Sequence, residues 1–288
     1  MLKKCLKYDL QAVGRIWWIL AASMAGAFIV AALAFRVLLE TTQQPDPSGG
    51  LIMLSIFGTL LAFLCIFAIF AAMTVSVILV YWRTYTHFYT DEGYLTFSLP
   101  VKRSTLYLSK VLTASIVEAS MVILCILGVA LMALVIPPAE NGALLNPVAF
   151  QSLFEGIRLL SELTGSGWLL AWVIAFLPLP FVCQLFTSGM TFLCLTVGSV
   201  IAKKHKLLAA IGIYYGVTTV LSTVGQFAFY FLSSGFVGFF EICSNAGTLT
   251  TGISGTAVIL IVDLAFACMA AVTHFITVNL IERKLNLA

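Results

Sequence analysis

The sequence predicts an all-α integral membrane protein, a six-transmembrane-helix bundle in which residues 1–288 form one membrane domain. Three observations carry this expectation: an apolar composition, six apolar runs of spanning length, and basic residues gathered in alternate connections. Hydrophobic residues make up 61% of the 288 positions and charged residues only 9%. Soluble domains are about half apolar and about a quarter charged, so a water-soluble fold has no means of hiding this much apolar surface. In hydrocarbon every backbone N–H and C=O must be paired within the protein, which leaves helix bundles or closed barrels. Barrel strands alternate over about ten residues, whereas the apolar runs here are continuous and long.

The runs cover roughly 17–39, 51–81, 111–136, 168–202, 207–240 and 252–280. Each exceeds the ~20 residues that cross about 30 Å of hydrocarbon at ~1.5 Å per residue. The second, fourth and fifth are long enough to require tilting, kinking or extension beyond the bilayer. Pro178 and Pro180 predict a kink in the fourth, because proline removes a helix hydrogen bond. About twenty apolar residues from Ile16 to Phe35 outrun the h-region of a signal peptide, so the first run reads as a retained span despite the Ala32-Leu33-Ala34 triplet.

Orientation follows from the cations. Lys3, Lys4, Lys7 and Arg15 precede the first span, and Arg83, Lys102, Arg103 and Lys110 lie between the second and third. Lys203, Lys204 and Lys206 join the fourth to the fifth, and Arg283 and Lys284 follow the sixth, so thirteen of fifteen basic residues fall on one side. Only Arg36 and Arg158 fall on the other, beside Glu40, Asp46, Glu140, Glu155, Glu162 and Glu241. The positive-inside rule then places both termini and the even-numbered connections in the cytoplasm.

Two amphipathic segments flank the spans. Over Met1–Trp17, Leu2, Leu6, Leu10, Val13 and Trp17 recur at helical spacing, with the cations off that face. This suits a helix along the inner leaflet. In the outer connection a helix is expected from the cap Asn146 and Pro147 to Gly165, with Phe150, Leu153, Phe154, Ile157 and Leu160 as its apolar stripe. It reads as an interfacial packing helix or, more sharply, as a gate over an outward-facing cavity.

The chemistry that is missing narrows the classes of function. Gly is never followed by Lys, so there is no phosphate-binding GxxxxGK[ST] loop, and no HExxH or GxSxG motif occurs. Seven cysteines (Cys5, Cys65, Cys125, Cys183, Cys194, Cys243 and Cys268) show no metal-ligand spacing. Most sit in apolar runs; Cys243 alone is expected in an outer loop. His87, His205 and His274 are far apart, and no basic–aromatic patch suggests nucleic acid. The chain therefore reads as a non-enzyme that binds no cofactor itself.

Two constellations remain. Asp263 lies near the middle of the sixth span, with Thr256 seven residues before it and His274 eleven after, on one helix face. An intramembrane acid is costly and marks an ion or substrate path, or else an interhelical hydrogen bond. Gly212-xxx-Gly216 in the fifth span permits close helix approach, read as packing within the chain rather than a dimer seam. The second constellation is the stretch 91–110, where Leu95, Phe97 and Leu99 are apolar within a charged connection and Pro100 closes a short element before a helix starting near Ser104. Apolar groups rimmed by charge suit a docking surface, or a loop folded back on the bundle.

Glu92-Gly93, Leu99-Pro100-Val101-Lys102-Arg103 and Lys110 resemble a pattern in ABC transporter permeases of the type-2 exporter class, such as the membrane subunits of bacitracin-type peptide exporters. The six spans, inside termini and leading amphipathic helix are similar too. The resemblance implies a permease half without its own ATPase, with a coupling helix over Asp91–Leu99. ATP would be handled by a separate ABC ATP-binding subunit, and a second permease subunit would complete a homo- or heterodimer. It further implies that Glu92 is the polar contact with that ATPase and Leu95 and Phe97 its apolar anchors, with Asp91, Gly93 and Leu99 in the same docking segment. Pro100 and Arg103 would fix the turn into the third span. The long outer connection departs from the family, which more commonly carries its outer helices between the last two spans. The rival readings are a proton-coupled transporter built on Asp263 and a non-transporting scaffold or sensor subunit.

Overall fold

The computed structural model describes residues 1–42, 48–90, 92–98, 101–135, 147–164, 166–202, 205–245 and 247–283. Within them the regular structure is helix alone: α1 (Leu2–Thr42), α2 (Gly49–Tyr89), α3 (Glu92–Phe97), α4 (Arg103–Val135), α5 (Pro147–Thr164), α6 (Ser166–Phe176), α7 (Leu179–Ile201), α8 (Lys206–Asn245) and α9 (Thr248–Arg283). Six segments are long and apolar enough to cross a membrane: Leu2–Thr42, Gly49–Tyr89, Arg103–Val135, Gly167–Ile201, Lys206–Ala228 and Thr250–Arg283. They match the six apolar runs in order, and the chain is a multi-pass helical membrane protein.

The details refine several expectations. The amphipathic segment 1–17 does not form a separate helix, because α1 is continuous from Leu2 to Thr42. No proline interrupts its hydrogen-bond ladder, and Gly14 lies in open space, so nothing forces a break. The fourth span is cut as its prolines require: α6 ends at Phe176, Pro178 caps α7, and Pro180 sits in the first turn. Cys243 belongs to α8 rather than to a loop, and it is buried. The outer helix α5 begins at Pro147 as expected, whereas its proposed cap Asn146 and terminator Gly165 lie outside the described residues.

The chain packs as two compact units. The first comprises Met1–Asp9, Tyr81–Ile116 and Leu159–Ala288. Here α9 packs against α6, α7 and α8, and small residues set the closeness of approach. An added Cβ at Gly198 would come within 2.5 Å of the Ala210 backbone, so α7 and α8 nearly touch. Gly252 and Gly255 of α9 likewise receive the indoles of Trp168 and Trp172, and Trp172 Nε1 donates to the Gly252 carbonyl at 3.1 Å. Gly212 and Gly216 of α8 have nothing within 4 Å of a built Cβ, so they do not pack inside the chain among the described residues, contrary to the expectation.

The second unit comprises Leu10–Val80 and Val117–Arg158. Its core is apolar: Met24 and Phe28 of α1, Ile69 and Ala72 of α2, and Met121 of α4. The Phe28 ring fills the space that a side chain at Gly128 would need. Arg36 and Glu40, both assigned to the outer side, pair with each other at 2.9 Å.

Candidate functional site

The connection between α2 and α4 holds the short helix α3, which spans six residues, about 9 Å. Glu92 opens it, an acid at the positive end of the helix dipole. The Glu92 side chain is 61% exposed and lies 3.3 Å from His87 Nδ1 at the end of α2. The Gly93 N–H donates to the Thr90 carbonyl at 2.9 Å, closing the turn between α2 and α3. Gly93 itself is buried. Leu95 and Phe97 belong to the α3 backbone, whereas Asp91, Leu99 and Pro100 lie outside the described residues. Arg103 is the first residue of α4, one before the expected Ser104.

Both ends of this connection are tied down. Lys206 Nζ, at the start of α8, donates to the Tyr89 carbonyl at 3.4 Å. The Tyr89 hydroxyl meets Thr196 Oγ1 of α7 at 2.6 Å, in a fully buried contact. Beyond α3, Arg103 Nη1 donates to the Ile281 carbonyl in the last turn of α9 at 3.3 Å, a cation placed at the negative end of a helix. Lys110, two turns further on, pairs with Asp9 of α1, and Ser109 Oγ donates to the other Asp9 oxygen at 3.0 Å. The end of α2 and the start of α4, which flank α3, are thus connected by hydrogen bonds to α1, α7, α8 and α9.

Behind the connection lies a buried aromatic layer. Phe192 receives the edges of Tyr81 and Tyr107 at centroid distances of 5.2 and 6.1 Å, and Tyr107 lies 5.1 Å from the His274 ring. Deeper in the same unit, Ser115 of α4 and Ser188 of α7 share a buried hydrogen bond at 2.7 Å.

No family model, curated protein or solved structure matches this chain.

The residues assigned to a path along α9 separate in the structure. The Thr256 hydroxyl is engaged by its own helix, donating to the Gly252 carbonyl at 2.8 Å. His274 joins the aromatic layer, with Nδ1 buried and unpartnered. Asp263 stands apart: it is 9% exposed, and both carboxylate oxygens are buried without a hydrogen-bond partner. Among the described residues, the interhelical hydrogen bond that sequence reasoning allowed for Asp263 is therefore not made.

Sequence reasoning missed Asp9, Tyr89, Tyr107, Ser109 and Thr196. Asp9 had a usable signal, as the lone acid among Lys3, Lys4, Lys7 and Arg15. Tyr89 precedes the singled-out stretch and Tyr107 lies within it, but their partners Thr196, Phe192 and His274 lie on α7 and α9, distant in the chain.

Proposed function

We propose that this chain is the membrane-spanning permease subunit of a bacterial ATP-driven exporter, working as a homo- or heterodimer with a separate ABC ATP-binding subunit. On this reading the termini and α3 lie on the cytoplasmic face, and the substrate is an amphipathic peptide, lipid or drug. The supporting observation is the way the connection that holds α3 is tied down: Tyr89 before it and Arg103 after it are fastened to α7, α8 and α9. A partner pressing on α3 would move those three helices together, because the linking contacts are directional and partly buried. The similarity of the stretch 91–110 to type-2 exporter permeases supports the same reading.

In the proposed cycle the ATPase grips α3 at Glu92, with Asp91 and Gly93 beside it and Leu95, Phe97 and Leu99 as apolar anchors. Pro100 and Arg103 transmit the displacement to α4. Closure of the ATPases on ATP would then shift α7–α9 between access states.

Affinity purification in mild detergent, with partners identified by mass, tests this directly. A stoichiometric ATPase is expected with the wild-type chain, and Glu92→Lys should lose it or uncouple ATP hydrolysis from transport. A clean preparation without an ATPase would sink the reading. The rival, a secondary transporter built on Asp263, rests on the unpartnered carboxyl. It predicts transport that collapses with an uncoupler and persists without ATP.

A further inference from the structure

Asp263 occupies the centre of the buried stripe of α9, which runs Gly252, Gly255, Asp263, Thr273, Thr277 and Ile281 at helical spacing. A buried acid within an apolar bundle normally has a cationic or hydrogen-bonding partner, because a buried carboxylate without compensation is among the costliest groups in a protein. Asp263 has neither. The helices packed together around it explain why: α6 and α7 contain no lysine or arginine, α8 has only Lys206, and α9 only Arg283. Arg283 lies twenty residues away, about 30 Å along the helix, and His274 eleven residues away, about 16 Å. Lys206 is engaged at the Tyr89 carbonyl. No positive side chain of these four helices reaches the carboxyl, and the α4 cations Arg103 and Lys110 are engaged at the Ile281 carbonyl and at Asp9, so any compensating charge comes from elsewhere.

The surroundings indicate what kind of charge fits. One turn along α9, the Phe266 ring pairs with Phe186 of α7 at a centroid distance of 5.9 Å. Cys183, one turn before Phe186, lies within electrostatic range of Asp263. A carboxylate one turn from two paired phenyl rings complements a cation whose charge is spread or shielded by hydrocarbon. A small hydrated ion would gain nothing from the rings and would have to shed its water.

We propose that Asp263, with Phe186 and Phe266, is the recognition point for a lipophilic monocation between α7 and α9. This deepens the exporter reading and rests on it for the claim that the bound cation is cargo. Because the oxygens are sealed in the present state, entry requires α7 and α9 to part locally.

The test uses the full chain in lipid nanodiscs, without any ATPase, and equilibrium binding of radiolabelled tetraphenylphosphonium. Tetraphenylborate, of the same shape and opposite charge, is the control. The wild-type chain is expected to bind the phosphonium saturably and the borate no better than empty discs do. Asp263→Asn should weaken phosphonium binding at least about ten-fold, with Asp263→Glu restoring most of it. Phe266→Leu should weaken it about three-fold. A readout on the wild-type chain guards against variants that misfold: the phosphonium should slow maleimide labelling of Cys183 and leave exposed Cys268 unaffected. Absence of saturable binding, equal binding by Asp263→Asn, or unchanged Cys183 labelling would overturn the proposal. Failure to capture an ATPase would remove the exporter reading without touching this result.

Discussion

The two units keep their helices in register by different means. In the first, the contacts between helices are directional: Tyr89 to Thr196, Ser115 to Ser188, Asp9 to Lys110 and Arg103 to Ile281. In the second, Met24, Phe28, Ile69, Ala72 and Met121 meet through shape alone. A bilayer makes the difference meaningful. Lipid tails are as apolar as leucine, so apolar helix faces gain little by leaving lipid for one another, and specificity comes from close packing or from polar pairs. The first unit uses both devices, and the apolar core of the second uses the former. The unit that carries α3 is thereby the one built to keep its geometry under load.

The largest test of this contrast probes close approach. Gly198→Leu would drive a side chain into the backbone of α8 at Ala210, where no rotamer change relieves the collision. It should cost about 3 kcal/mol or more and abolish monodisperse protein after extraction. Gly212→Leu on α8, with open space around it, should leave the thermal melting curve unchanged.

The ion pair comes next. Lys110→Met leaves the mostly buried Asp9 carboxylate unpaired and should destabilise by about 3 kcal/mol, read by denaturant titration in detergent. Asp9→Asn combined with Lys110→Met should recover most of that loss. If the double variant is no better than the single one, the pair does not govern this contact.

The smallest effects sharpen the comparison between units. A double-mutant cycle on Tyr89→Phe and Thr196→Val should give a coupling of about 0.6–1.7 kcal/mol. In the apolar unit, Ile69→Val should cost only about 0.5 kcal/mol. Equal values for the two would dissolve the distinction drawn here.

The spans were legible because hydropathy reports the solvent a helix expects, and the break at Pro178 because proline's missing N–H is a local property. Span ends were less legible. α8 runs on to Asn245 and takes Cys243 with it, since a hydrogen-bond ladder need not stop where apolarity does. The continuity of α1 escaped for the same reason. For the candidate site, sequence located the α3 segment and the acid in the sixth span. It did not show that Gly212 and Gly216 face away from the bundle, that Lys110 reaches back to Asp9, or that Asp263 has no partner. Each of those depends on helix rotation and register, which are settled by contacts between residues distant in the chain.

The interruption between α6 and α7 has a consequence for cooperativity. Pro178 and Pro180 lack the N–H groups that would have reached the carbonyls of Ile174 and Phe176, so the ladder of the fourth span loses two rungs within three residues. Unwinding that begins in α6 therefore has no continuous ladder along which to spread into α7. Amide exchange should resolve the span into two kinetically separate blocks, the eleven residues of α6 opening without disturbing the twenty-three of α7. A helix divided in this way can remodel its Trp168 and Trp172 end while the segment bonded to Tyr89 stays wound.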